Sequence, residues 1–218
     1  MALNKLKFNS LNVTPVAGKT IGFNSSANGL EATLAGADIR FIKTLTASSS
    51  ATLSFVNGSS DVVLDSTYKE YLFIYHSVHP ATDSAHFTVG FRDGSTDYDA
   101  TKTTTSFRTY HQESGSAASL GYHTGADLAQ STDFQILNFE VDNDADSCCN
   151  GYLHLFNPSS TTFVKHFVAQ GSTVQNDTIN RSDYVGGMLN VTTAIDAVQF
   201  KYSSGNIDAG TITLYGIN

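Results

Sequence analysis

Short runs of alternating apolar and polar residues, separated by turn-forming residues, fill the chain from Asp38 to its end. A period of two puts one set of side chains on a buried face, as in a strand with one side in a core. Arg40–Thr46, Ala51–Val56, Ala85–Arg92, Thr103–His111 and Phe134–Val141 read this way, and Ser119–His123 does so more weakly. Tyr71–His79 is apolar on both faces. It is expected to be a central strand covered on two sides and ended by Pro80, which has no N–H for a ladder. Asp65–Glu70, just before it, reads as one polar helical turn. Gly151–Phe156 and Thr161–Val168 flank Asn157-Pro158-Ser159-Ser160 and predict a hairpin. Asp183–Val191 predicts a strand weakened by Gly186 and Gly187. The last two runs are Ala197–Tyr202, with Val198, Phe200 and Tyr202 on one face, and Gly210–Ile217, with Ile212 and Leu214 on one face. Ser203-Ser204-Gly205-Asn206 between them supplies turn chemistry, so the pair predicts a terminal antiparallel hairpin. Roughly ten strands at regular spacing, without a convincing helix, predict an all-β, jelly-roll-like antiparallel β-sandwich.

Residues 1–36 break this pattern. Thr14-Pro15-Val16-Ala17-Gly18, Gly22–Gly29 and Leu34-Ala35-Gly36 are small, polar, punctuated by Gly and weakly periodic. Such a stretch has few large apolar side chains to fix it by its own packing. It is expected to be an extended N-terminal attachment arm held by a partner subunit, followed by the sandwich at 37–218.

Composition agrees with a β domain. Charged residues are 15% and hydrophobic ones 40%, and 14 Phe and 10 Tyr can fill a core without Trp. The net charge of −8, with no Lys/Arg cluster, repels phosphate backbones and argues against nucleic-acid binding. No apolar run reaches the length of a membrane span, and Met1–Phe8 lacks the apolar core of a signal peptide. The two cysteines, Cys148 and Cys149, are adjacent, a spacing that disfavours a disulfide. Free thiols and the missing signal point to synthesis in a reducing cytoplasm.

Candidate chemistry is thin. His76 and His79 are three apart on one strand and point to opposite faces. His154 and His166 fall in neighbouring strands, without an evident third metal ligand. Asp142, Asp144 and Asp146 open like a calcium loop, but Ser147 stands where Gly is wanted and Leu153 where the closing Glu belongs. Asp93, Asp97 and Asp99 form a second acidic loop. Asp196 and Asp208 are carboxylates at strand ends, where turn-forming Asp is expected, and no Gly-x-Ser-x-Gly elbow is present. No catalytic, cofactor-binding or metal residue is therefore assigned, and no cofactor is expected. Tyr98, Tyr110, Tyr122 and Tyr184 fall in or near loops and could stack on sugar rings. The longest polar connections, 93–101, 112–126 and 142–150, are the candidates for display.

Ala194–Lys201 followed by Ser203–Ile217 resembles the closing motif of virion proteins from tailed marine bacteriophages. The blocks His79-Pro80-Ala81-Thr82, Phe87–Asp93 and Leu155–Lys165 are similar to the same group. The resemblance implies a jelly-roll-like sandwich in a tail, fibre or capsid-surface position, with no catalytic residues to carry over. The chain is thus expected to be a non-enzymatic virion structural protein, tail-associated or of fibre type and in contact with host glycan. A capsid decoration protein is the alternative. Its expected partners are other copies of itself, as a trimer, and other virion proteins, after assembly in the host cytoplasm. A glycan-degrading enzyme, which needs a carboxylate pair in a groove, and a stand-alone lectin are the competing classes.

Overall fold

The structure is a computed structural model that describes residues 20–23, 30–33 and 39–218. The chain divides into two units, Met1–Asp38 and Ile39–Asn218. In the first, β1 (Thr20–Phe23) pairs antiparallel with β2 (Leu30–Thr33). The rest of the expected arm at 1–36 lies outside the described residues.

The second unit is all strand and connection. In chain order it contains β3 (Ile39–Thr46), β4 (Leu53–Val56), β5 (Glu70–Pro80), β6 (Ala85–Arg92), β7 (Lys102–Gln112) and β8 (Ala118–Tyr122). Then come β9 (Gln135–Val141), β10 (Cys149–Phe156), β11 (Lys165–Gln175), β12 (Ile179–Leu189), β13 (Ala197–Tyr202) and β14 (Ile207–Ile217). An eight-stranded sheet runs β3-β14-β5-β10-β11-β12-β7-β8, and a four-stranded sheet runs β4-β13-β6-β9. All the pairings between these strands are antiparallel. With β7–β8 and β11–β12 set aside, two four-stranded sheets remain, β3-β14-β5-β10 over β4-β13-β6-β9. That is the double Greek key of a jelly roll. The two hairpins are insertions that widen one sheet to twice the width of the other.

Aromatic rings fill the interior. Phe73 of β5 meets Phe55 of β4 and Phe200 of β13, with ring centroids 5.3 and 5.6 Å apart. Phe87 of β6 lies 5.1 Å from Tyr75 and 5.8 Å from Phe200. Tyr75 lies over Gly151 and Gly171, where an added Cβ would stand 2.4 Å from its hydroxyl, and it donates to Asn138 Oδ1 at 2.9 Å. Those two glycines face each other across β10 and β11, and the phenol fits only because neither carries a side chain.

The expected terminal hairpin is not formed. β13 pairs with β4 and β6 in the small sheet, whereas β14 lies between β3 and β5 in the large one. The chain turns at Gly205, where φ is 70°, and crosses from one sheet to the other. Buried Phe200 and Tyr202 and buried Ile212 and Leu214 thus belong to opposite sheets. Two one-sided strands can bury their apolar faces by stacking as readily as by pairing, and alternation does not tell these apart. β5 departs from expectation too: it is central, but its buried residues, Tyr71, Phe73, Tyr75, Val78 and Pro80, lie on one side, and Leu72 and Ile74 are half-exposed. It ends at Pro80, as expected. Asp65–Glu70 forms turns rather than a helical turn, and the proposed display loop 112–126 contains β8.

Candidate functional site

Register places the large sheet's outward side chains in rows. Phe41, Tyr215, Leu72, His154, Val168, Gly186 and Thr105 form one row. Thr213, Ile74, Tyr152, Gln170, Tyr184, Phe107 and Tyr122 form the next. Among the described residues eight large apolar side chains are exposed, and seven of them stand on this face, Phe163 being the exception. Leu120 at 70% and Phe41 at 64% are the extremes. Across the rows from Ile39–Ile217 to Thr46–Thr211, Glu70 is the sole Asp, Glu, Lys or Arg, and it pairs with His154 Nε2 at 2.9 Å. Two hollows interrupt the face. One, of about 440 Å³, is lined by Leu72, Ile74, His76 and Tyr152, and the other, of about 330 Å³, lies where Gly186 leaves room beside Val168 and Met188. Phe107 and Tyr184 stack with centroids 4.7 Å apart and planes 4° from parallel. Rings stacked at strand spacing stand on edge, so they offer partners their edges and not their faces.

The inner face of the widened half is polar, because β9 is the last strand of the small sheet to reach it. Arg181 is fully buried and Asp183 nearly so. Asp183 Oδ1 accepts from Arg181 Nη2 at 2.7 Å, and its Oδ2 accepts from the Phe139 N–H at 3.2 Å. The guanidinium also lies 4.6 Å from the Phe139 ring centroid, and Nη1 is buried without a partner. A guanidinium only donates, so His123 Nδ1, 3.0 Å from Arg181 Nη2, must accept. His86, stacked on Phe139 at 4.3 Å, accepts the Glu140 N–H through Nδ1 at 3.0 Å.

Burial lowers both histidine pKa values below the ordinary 6.5. Arg181 lowers both further and Arg108 lowers that of His123, against the opposing pull of Asp183 and Glu140. Stability that needs neutral rings is complete above the unfolded value and is lost as pH falls below it. The urea midpoint is expected to fall from about pH 7.5 to about pH 5. His123→Gln, whose amide oxygen can still accept from Arg181, should fall less. Equal falls in both proteins would remove His123 from this account.

The residues singled out from sequence do not converge. His79 Nε2 contacts the Asp144 carbonyl oxygen at 3.2 Å, whereas His76 lines the larger outer hollow. His154 and His166 share the outer face but stand one pair out of register. Arg92 holds Asp196 through Nε and Nη2 at 2.8 and 3.1 Å, and Asp208 is exposed. Asp97 and Asp99 are tied by the Ser95 hydroxyl. Tyr110 lies under Arg108, Tyr122 donates to Asp127 at 2.7 Å, and Tyr98 stands apart in the loop 93–101.

In the 142–146 turn the third carboxylate is Asp177, from the β11–β12 turn, and not Asp146. Oxygens of Asp142, Asp144 and Asp177 lie within 4.8 Å of one another, the donor type and spacing that a hard cation would take. The Asp142 oxygens already accept from the Asp144 and Asp177 amides, at 3.2 and 2.9 Å. A side-chain hydrogen bond and the charge of Asp142 push Asp177 up to about 6. Cys149 is buried, and burial raises its thiol pKa, so it is not a poised nucleophile. Lys102, also buried, donates to the Asp133 carbonyl at 2.7 Å, and burial lowers its ammonium to about 8. Among the described residues no helix is long and apolar enough to cross a membrane. No protein-family model, curated protein or solved structure matches the chain.

Proposed function

We propose that the chain is a non-enzymatic virion structural protein that packs against other subunits of a particle, in a tail-associated or fibre position. The observation that carries this reading is the outer face of the large sheet, broad, rich in aromatic residues and almost free of charge. Depletion of charge with enrichment of aromatic residues marks the centre of protein interfaces. The largest exposed apolar patch of an ordinary monomer covers only about 300–600 Å² and is itself often functional. The two inserted hairpins add to that face the strands that carry Val168, Tyr184, Phe107 and Tyr122. The residues resembling phage virion proteins support the same assignment, since His79–Thr82, Phe87–Asp93 and Leu155–Lys165 are parts of this jelly roll.

Host glycan draws weaker support, because Tyr98 and Tyr110 stand apart from the row that holds Tyr184 and Tyr122, and Tyr184 stands on edge beside Phe107. The test is to express the full chain together with the reading frames that flank its own and to fractionate the lysate on a sucrose gradient. The chain is expected to migrate with particle or tail assemblies. A chain that remains at the top of the gradient and turns over a glycan would overturn the proposal.

A further inference from the structure

We propose that the outer face of the large sheet is covered by the same face of a second copy of this chain, in a twofold pair. This rests on the reading of that face as an assembly surface and names its partner.

Area is the first argument. Eight strands about 4.8 Å apart, carrying four outward rows about 6.8 Å apart, span roughly 34 by 20 Å, or about 700 Å². A standard stable interface takes about 800 Å² from each partner.

Charge is the second. The chain carries −8 overall, with 20 Asp and Glu, yet a single carboxylate, Glu70, stands on these rows, 2.9 Å from His154 Nε2. Two like-charged copies can approach only through a surface from which the charge has been removed. A basic partner would instead be met by the acidic residues elsewhere on the molecule.

Shape is the third. The eight strands divide evenly at the seam between β10 and β11. A twofold axis along that seam lays β12 and β7 of one copy over β5 and β14 of the other. Row for row, Tyr184 of the upright pair then falls on Ile74 at the edge of the larger hollow, and Phe107 falls on Thr213. The contact is isologous, so the same ridge and hollow are used twice. Twisted sheets stacked this way cross at about 30° with their faces about 10 Å apart. The symmetry is twofold, in place of the trimer expected from the sequence.

The experiment is sedimentation of the full chain alongside Phe107→Lys, Tyr152→Lys and Phe163→Lys. Phe107 and Tyr152 stand on the face, 44% and 39% exposed, and Phe163, 70% exposed, is in the β10–β11 connection, outside the paired rows. The full chain is expected at twice its 23.3 kDa, and so is Phe163→Lys. Either substitution on the face, which sets an unpaired ammonium into the contact, should weaken the dimer at least about 100-fold. Melting curves show whether each variant is folded, and two face positions keep the test decisive if one is not.

Twice the chain mass for the parent and Phe163→Lys, with single mass for a folded face variant, supports the pair. Single mass for the full chain up to its solubility limit overturns the pair and leaves the virion reading to the gradient. Three masses, or a dimer unmoved by both face substitutions, overturns it as well. A monomer that binds a soluble glycan through this face overturns the pair and the assembly reading together.

Discussion

Asp183→Asn is expected to cost about 3–5 kcal/mol of stability, as does removing one partner from any buried ion pair. Asn keeps the shape and an oxygen to accept the Phe139 N–H, now at 3.2 Å from Asp183 Oδ2, so little packing changes. What changes is the charge beside Arg181, whose side chain is fully buried and whose Nη1 already lacks a partner. The guanidinium would be left with His123 and the Phe139 ring, neither able to neutralise it. Asp183→Asn combined with Arg181→Met removes both charges and is expected to recover much of the loss, because an apolar replacement of a buried pair is often neutral. Urea unfolding of the parent, the single and the double variant measures this. A single-variant loss below about 1 kcal/mol, or a double variant worse than the single one, would show that the pair is not desolvated as described.

That pair also marks where the sequence stopped being readable. Arg181 and Asp183 are two apart on a strand and so share a face, and a face with opposite charges reads as solvated. Only the sheet order shows that this face turns inward, beneath β9, at the half of the large sheet that the small sheet does not fully roof. The class of fold was legible, because period-two alternation at Ala85–Arg92, Thr103–His111 and Phe134–Val141 is a local property. The partner of each strand was not. β13 and β14 carry the same one-sided pattern whether they pair or stack, and the choice is made by β3–β6, which are remote in sequence. Gly187 looked like a weakness in its strand, yet an added Cβ there would stand 2.1 Å from the Phe167 ring, so the missing side chain is what admits the ring. The uncovered face escaped notice for a similar reason. Leu72, Ile74 and Tyr152 look like core residues in their own strands, and only the two-layer stacking, which covers one face of the large sheet, leaves them outside.

Phe200→Ala is expected to destabilise the protein by about 3–5 kcal/mol, the usual range for removing a buried phenyl ring. Phe200 is fully buried, with ring centroids of Phe73, Phe87 and Phe55 at 5.6, 5.8 and 6.3 Å. Three large neighbours in two sheets cannot collapse into the space without breaking their own contacts, which places the cost toward the upper end. Phe200→Leu, which leaves a smaller void, should lose distinctly less. The same residue tests the crossing of the chain between sheets, because Phe73 lies on β5 of the large sheet and Phe200 on β13 of the small one. A double-mutant cycle between Phe200→Leu and Phe73→Leu is expected to show a coupling of about 0.5–1.5 kcal/mol. Additive losses would mean that the two rings do not touch. The stacking of β13 over β5, on which the crossing of the chain between the two sheets rests, would then fail.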